Sequence, residues 1–297
     1  MKVQEFDEFV ESLQIKQFPS FENFTKIANM TALFFDEKEE KFIELNYERG
    51  LLLYLLITKF KPKNVLEIGT SAGYGTLCMA WAMHDNNIDG KIYTIDPIPN
   101  NESVSRAIDY GSDKGPHIEK ISVKEIWENI GKEEWMEKII PICGYSGEVL
   151  KRTNLPTFDF IFIDGAHFFD AVKHDFFASL KHVSSDFSIL FDDYVNRKDY
   201  GIKKLIDEDI SKKIPVTMIK TDTKRKLEQI ISLSDNEYGM CLIQNNVSGV
   251  DLLKEYTKDE REKYISKYLK YEQRIKNRNR VNELFPVLKN IKFSFWK

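Results

Sequence analysis

The sequence predicts an α/β fold: a mostly parallel, seven-stranded sheet with helices ahead of it and a helical extension behind it. Three observations carry this. Short apolar strands alternate with helical patterns beyond Asn64, as parallel strands joined by crossover helices do. The first strand, Val65–Ile68, runs straight into Gly69-Thr70-Ser71-Ala72-Gly73-Tyr74-Gly75, where three glycines fall within seven positions. Finally, polar residues and glycines gather where strands end, the edge at which such sheets take ligands.

Residues 1–60 read as mostly helical: segments near 3–15 and 21–34, then a longer one from Lys38 to Phe60 whose Leu51–Leu56 stretch is apolar nearly all round and therefore buried. Lys61-Pro62-Lys63-Asn64 breaks that helix. After the glycine turn, Leu77, Ala80, Trp81 and His84 recur at helical spacing. Lys91–Ile95 is the second strand and ends at Asp96-Pro97. Residues 98–137 form a long connection with two short helices, in which Asp109, Asp113 and His117 read as loop residues. Ile139–Cys143 is the third strand, followed by Gly144-Tyr145-Ser146-Gly147. Phe158–Ile163 is the fourth and ends in Asp164-Gly165-Ala166-His167, before a helix marked by Phe169, Val172, Phe176 and Leu180. Phe187–Phe191 is the fifth and ends in Asp192-Asp193. A helix through Ile202–Ile210 follows, then two strands, Pro215–Lys220 and Tyr238–Gln244, which lack a crossover helix and so pair antiparallel. The boundaries fall at 1–60 for an N-terminal helical segment, 61–247 for the α/β domain and 248–297 for a basic helical extension.

Composition is that of a globular protein, with 42% hydrophobic and 30% charged residues and a formal net charge of −4. Gly249–Lys297 holds 13 Lys/Arg against 7 Asp/Glu, so the extension is basic and the remainder acidic. Its Tyr264, Tyr268, Tyr271 and Ile275 share one helical face, which fits packing on the domain or on a second subunit; a surface for an anionic partner is the other reading. No nucleic-acid partner is expected. Cys78, Cys143 and Cys241 are far apart in apolar segments, which favours reduced core thiols over disulfides or a zinc site. The acidic, amphipathic start is unlike a signal peptide, and the longest apolar run, Leu51–Ile57, is too short to span a bilayer. A cytoplasmic protein is expected.

A strand, glycine turn and helix start together present free backbone N–H groups to a bound group. The spacing Gly69-x-x-x-Gly73-x-Gly75 is wrong for a dinucleotide loop. Gly69-Thr70-Ser71-Ala72-Gly73 does match the nucleophile elbow of a serine hydrolase, with Ser71 as nucleophile. Against that reading, the turn follows the first strand, and all five histidines (84, 117, 167, 174 and 182) precede the last strands.

Glu67-x-Gly69-x-x-x-Gly73-x-Gly75, with Asp96 ending the next strand, resembles the S-adenosylmethionine-binding motif of class I methyltransferases. The resemblance covers roughly residues 40–245 and implies their Rossmann-like seven-stranded sheet. It implies cofactor contacts from Glu67, Gly69, Thr70, Ser71 and Gly73, ribose recognition by Asp96, and adenine contacts from Gly144, Tyr145 and Ser146. Phe162-Ile163-Asp164-Gly165-Ala166-His167, then Asp175, then Leu190-Phe191-Asp192-Asp193-Tyr194 resembles the macrocin-type, metal-dependent sugar O-methyltransferases. That branch implies Asp164, Asp192 and Asp193 as ligands of Mg²⁺ or a similar ion, and His167 as the general base. Asp164 would lie beside both the cofactor and the reacting hydroxyl of a sugar, glycan or other small molecule. Val183-Ser184-Ser185-Asp186 departs from the family, which usually carries a glycine pair there.

The residues support this chemistry in their own right. Three carboxylates at adjacent strand ends repel one another unless a cation or a proton intervenes. Oxygen ligands suit Mg²⁺, and a neutral imidazole can take a proton from a bound hydroxyl. A non-catalytic scaffold binding partners through its basic tail would not need these acids and His167 together.

Overall fold

The computed structural model describes residues 1–37, 40–44, 47–152, 154–221, 238–245 and 251–284. The chain opens with β1 (Lys2–Gln4), α1 (Phe6–Ser12) and α2 (Phe21–Thr31). A hairpin of β2 (Leu33–Asp36) and β3 (Lys41–Glu44) then leads to α3 (Tyr47–Phe60). The continuous helix expected from Lys38 is therefore shorter, because the alternating Lys41–Glu44 stretch pairs antiparallel with Leu33–Asp36. β4 (Asn64–Ile68), α4 (Tyr74–Asp85) and β5 (Lys91–Asp96) follow as expected.

The long connection holds a second unexpected hairpin, β6 (Val104–Ile108) with β7 (His117–Ile121), ahead of the two short helices α5 (Val123–Ile130) and α6 (Glu133–Met136). His117 is therefore a strand residue, with Nε2 3.3 Å from Glu119. α5 is fixed at both ends. Ser122 and Glu125 form a reciprocal capping box at its start, and Gly131, at φ 67°, closes it.

β8 (Ile139–Cys143), α7 (Ser146–Val149), β9 (Phe158–Ile163), α8 (Phe169–Ser179) and β10 (Val183–Val195) complete the parallel part. A helix from Ile202 to Lys213, wound as a π-turn over Ile206–Ile210, leads to β11 (Thr217–Lys220) and β12 (Tyr238–Gln244). Helices Leu252–Glu255 and Lys258–Leu284 end the described chain.

The sheet order is β1-β11-β12-β10-β9-β4-β5-β8. β8, β5, β4, β9 and β10 are parallel, and β12 is antiparallel to both β10 and β11. The seven expected strands are present. An eighth joins them, because Lys2–Gln4, expected to be helical, pairs parallel with Thr217–Ile219 at the edge. The connections run outward from β4 to β5 and β8, then return to β9 on its other side. The switch point between β4 and β9 opens a crevice at their carboxyl ends.

Both faces of the sheet are covered. Phe160 and Phe162 face a layer holding Leu53, Leu56, Leu77 and Ala80, whereas Ile161 and Ile163 face Val172, Phe176 and Leu205. This is why the strands read as continuous apolar runs and why α4, between sheet and outer helices, is buried from Tyr74 to Met83. His84, in its last turn, is exposed rather than packed. The C-terminal helix packs on α8 through Ile265 and Tyr268, the latter ring 4.4 Å from that of His174. The side chains of Tyr271 and Ile275 lie outside the described residues, as do residues 285–297.

Candidate functional site

Glu67 lies near the end of β4 and is only 1% exposed. Its Oε2 accepts hydrogen bonds from the hydroxyls of Thr76 and Thr94, the latter at 2.5 Å. Burial outweighs these two bonds and raises its pKa from 4.5 to about 7. The turn that follows is tightly specified. Gly69 has φ 99°, and a Cβ there would stand 2.2 Å from the Asp164 carbonyl oxygen, so the β4 and β9 ends meet at this glycine. Gly73 has φ 94°, and a Cβ there would meet the Trp127 indole at 2.4 Å. Trp127 Nε1 donates to the Ala72 carbonyl at 3.2 Å, so the glycine accommodates an indole that braces the turn.

Asp96 accepts from the backbone N–H of Ser71 and of Ile98, both at 2.9 Å, and so ties the turn to the end of β5. A cleft of about 500 Å³ opens here, lined by Thr70, Ser71, Asp96, Ile98, Ile142 and Cys143 among others. Cys143 is therefore exposed at the cleft, while Cys78 and Cys241 are buried. A second cavity of about 200 Å³ lies across the same turn, against Arg49, Glu67, Gly69, Tyr74 and Asp164. Gly144, at φ 146°, turns the chain beside the larger cleft. Tyr145 and Ser146 do not line it. Lys276 stands over the Tyr145 ring at 4.7 Å, and Ser146 donates to Asp175 at 2.6 Å.

The strand-end acids are divided between two partners. Asp192 and Asp193 lie within β10 rather than beyond it, at a bulge where pairing with β12 shifts between Phe191 and Tyr194 and Asp193 takes φ 54°. A bulge re-aims side chains that would otherwise alternate between faces. Asp192, 2% exposed, accepts from Arg49 Nη1 at 2.6 Å. The same nitrogen lies 3.3 Å from Asp164 Oδ2. Asp193 instead accepts from the Tyr238 hydroxyl at 2.8 Å and meets His167 Nδ1 at 3.0 Å. The His167 ring stacks on Tyr200 at 4.6 Å, and the Arg197 guanidinium lies 4.5 Å from the centre of the Tyr200 ring.

Burial, followed by mutual repulsion of the carboxylates, raises the pKa of Asp193 and holds that of Asp164 well above the usual carboxylate range. Arg49 opposes the rise at both sites. One ligand atom each from Asp164, His167 and Asp193 lies within 4.8 Å of the others, a set that could hold a cation. Of the expected ligands Asp164, Asp192 and Asp193, the first and second are both paired with Arg49 Nη1, and the third with His167.

Arg49, Tyr200, Tyr238 and Trp127 were not signalled by sequence. Arg49, Tyr238 and Trp127 reach the site from elements distant in the chain, Tyr200 from the segment just after β10, and none belongs to a local motif. The only hint at Arg49 is its place, beside Glu48, at the start of a helix whose middle is apolar and buried.

Residues 66–194 match a family model described as a methyltransferase domain. No curated protein matches the chain. Among solved structures, the O-methyltransferase TomG from Streptomyces achromogenes, involved in tomaymycin synthesis and solved with SAM, is 18% identical. The match covers 79% of this chain and 94% of that one, with a TM-score of 0.51. The Bacillus cereus O-methyltransferase solved with SAH is 19% identical over 80% of this chain and 95% of that one, with a TM-score of 0.48. Among the described residues, no helix is long and apolar enough to cross a membrane.

Proposed function

We propose, from the match of residues 66–194 to a methyltransferase-domain model, that the chain is a class I, S-adenosylmethionine-dependent methyltransferase and that it methylates a hydroxyl of a sugar-like or other small molecule. The observation that carries the oxygen-directed reading is the His167–Asp193 pair, 3.0 Å apart, at the sheet edge that also holds the Glu67–Gly75 turn. The cofactor's adenosine would occupy the 500 Å³ cleft with its ribose hydroxyls at Asp96, and its methionine end would cross Gly69 toward the smaller cavity.

With Asp193 accepting the proton on Nδ1, the imidazole presents Nε2 as the base. Nε2 takes the proton of the acceptor hydroxyl. S-adenosylmethionine, when bound, would supply the methyl electrophile and keep the C–S electrons as a neutral thioether, while His167 holds the proton of the acceptor oxygen. The protein's remaining task is to align and desolvate. Tyr200 stacked on His167 keeps the imidazole plane fixed.

A metal-assisted variant rests on the proximity of Asp164, His167 and Asp193. An ion on those three would draw His167 away from its role as base, so the two readings exclude each other at that residue. Calorimetry with S-adenosylmethionine and S-adenosylhomocysteine tests the main reading, and binding of neither would overturn it. Turnover unchanged by EDTA would remove the metal variant and leave the transferase intact.

A further inference from the structure

We propose that the Arg49 guanidinium is the built-in cation of this acidic site, taking the place between Asp164 and Asp192 that a divalent ion would otherwise fill. The proposal rests on the methyltransferase reading for its purpose but not for its geometry. Arg49 Nη1 lies 2.6 Å from Asp192 Oδ2 and 3.3 Å from Asp164 Oδ2. Mg²⁺ would need those same oxygens at about 2.0–2.1 Å. A guanidinium nitrogen and such an ion cannot share that space, and their charges repel. The site needs a cation because carboxylates crowd it: Asp164 and Asp192 both meet Arg49, and Glu67 lines the same cavity as Asp164 and Arg49.

The surrounding fold is shaped to deliver this side chain. Gly50, the next residue, brings α3 against α4 so closely that a Cβ there would stand 2.5 Å from the Tyr74 hydroxyl and 2.8 Å from Cys78 Sγ. That approach places the Arg49 guanidinium 5.5 Å from the centre of the Tyr74 ring. Because arginine stays protonated at any working pH, the charge is permanent and needs no ion from solution. His167 and Asp193 are then left free as base and orienting acid.

The test is Mn²⁺ calorimetry on the full chain with S-adenosylhomocysteine present, comparing wild type with Arg49→Met and Arg49→Lys. Wild type and Arg49→Lys should show no Mn²⁺ heat up to millimolar concentration and the same thermal midpoint in Mn²⁺ and in EDTA. Arg49→Met, uncharged and of similar reach, should gain Mn²⁺ binding at least tenfold tighter than wild type. Micromolar Mn²⁺ binding by wild type overturns the proposal, and so does an Arg49→Met variant that gains none. If Arg49→Met does not fold alone, Arg49→Met combined with Asp192→Asn removes the unpaired buried charge and should restore folding, and the wild-type titration still decides. Loss of S-adenosylhomocysteine binding in wild type would sink the methyltransferase reading and leave the Mn²⁺ result standing.

Discussion

Replacing Glu67 by glutamine should flatten part of the pH dependence of stability. Glu67 is 1% exposed, and burial raises its pKa from 4.5 to about 7 against the opposing bonds from Thr76 and Thr94. Arg49 also opposes the rise, and Asp96 adds to it. A carboxyl with a higher pKa in the fold than in the unfolded chain binds its proton more tightly when folded. Its contribution is full below about 4.5 and is lost as pH rises through about 7. At about 1.4 kcal/mol per pH unit, the whole effect is roughly 3 kcal/mol, of which about 2.5 kcal/mol disappears between pH 5 and pH 8. The glutamine side chain keeps the shape, carries no charge, and meets Thr76 and Thr94 hydroxyls that can turn to accept its N–H groups. Urea denaturation of both proteins at pH 5, 6, 7 and 8 gives the comparison. Asp164 and Asp193 titrate in each protein, so the difference between the two curves reports Glu67 together with its coupling to Asp164. The wild type should lose about 2.5 kcal/mol relative to Glu67→Gln over this range. Parallel curves would refute the reasoning, because they would mean that Glu67 is either already neutral throughout or well solvated when ionised.

Three further changes test the site. Gly69→Ala puts a Cβ 2.2 Å from the Asp164 carbonyl and forces φ 99° on an alanine, so cofactor affinity by calorimetry should fall at least tenfold. His167→Ala should lower turnover by about 10²- to 10⁴-fold with S-adenosylhomocysteine binding unchanged, and Asp193→Asn should do the same more weakly; equal loss of cofactor binding would place His167 in the wrong role. Glu272, 2% exposed, accepts from the Gly147 N–H at 2.9 Å and so ties the C-terminal helix to α7. Glu272→Ala should cost about 1–3 kcal/mol and open that helix to limited proteolysis, whereas Glu272→Gln should do neither.

The central α/β unit was legible because its signals are local. A strand buried on both faces is an apolar run, and it stops where a polar residue or glycine meets the crevice, as at Glu67–Gly69, Asp96 and Asp164. The two hairpins were not legible for a different reason. Leu33–Asp36 and Lys41–Glu44 flank the charged stretch Glu37–Glu40, whose residues favour helix, so strand pairing had to override local propensity. Lys2–Gln4 is a strand only because β11 offers it an open edge. Tyr145 and Ser146 follow a strand end just as the other site residues do, yet the C-terminal helix and α8 claim them. Position along a strand fixes where a side chain begins, and the neighbours decide where it ends.

The acids show how far a general rule can run ahead of residue identities. Carboxylates crowded at one sheet edge require a positive charge or a proton, and this holds whatever fold carries them. The structure meets the requirement in three ways: with Arg49 at Asp192 and Asp164, with His167 and the Tyr238 hydroxyl at Asp193, and with raised pKa values where these fall short. Reading Asp164, Asp192 and Asp193 as one equivalent set assumed that adjacent strand-end residues aim at one point. The bulge at Asp192–Asp193 breaks that assumption, sending one carboxylate to a guanidinium that enters from α3, 143 residues earlier in the chain, and the other to the imidazole. A cation supplied over that separation leaves no spacing pattern to detect. It is fixed instead by the close packing of α3 on α4 at Gly50, a contact that exists only once the core has formed.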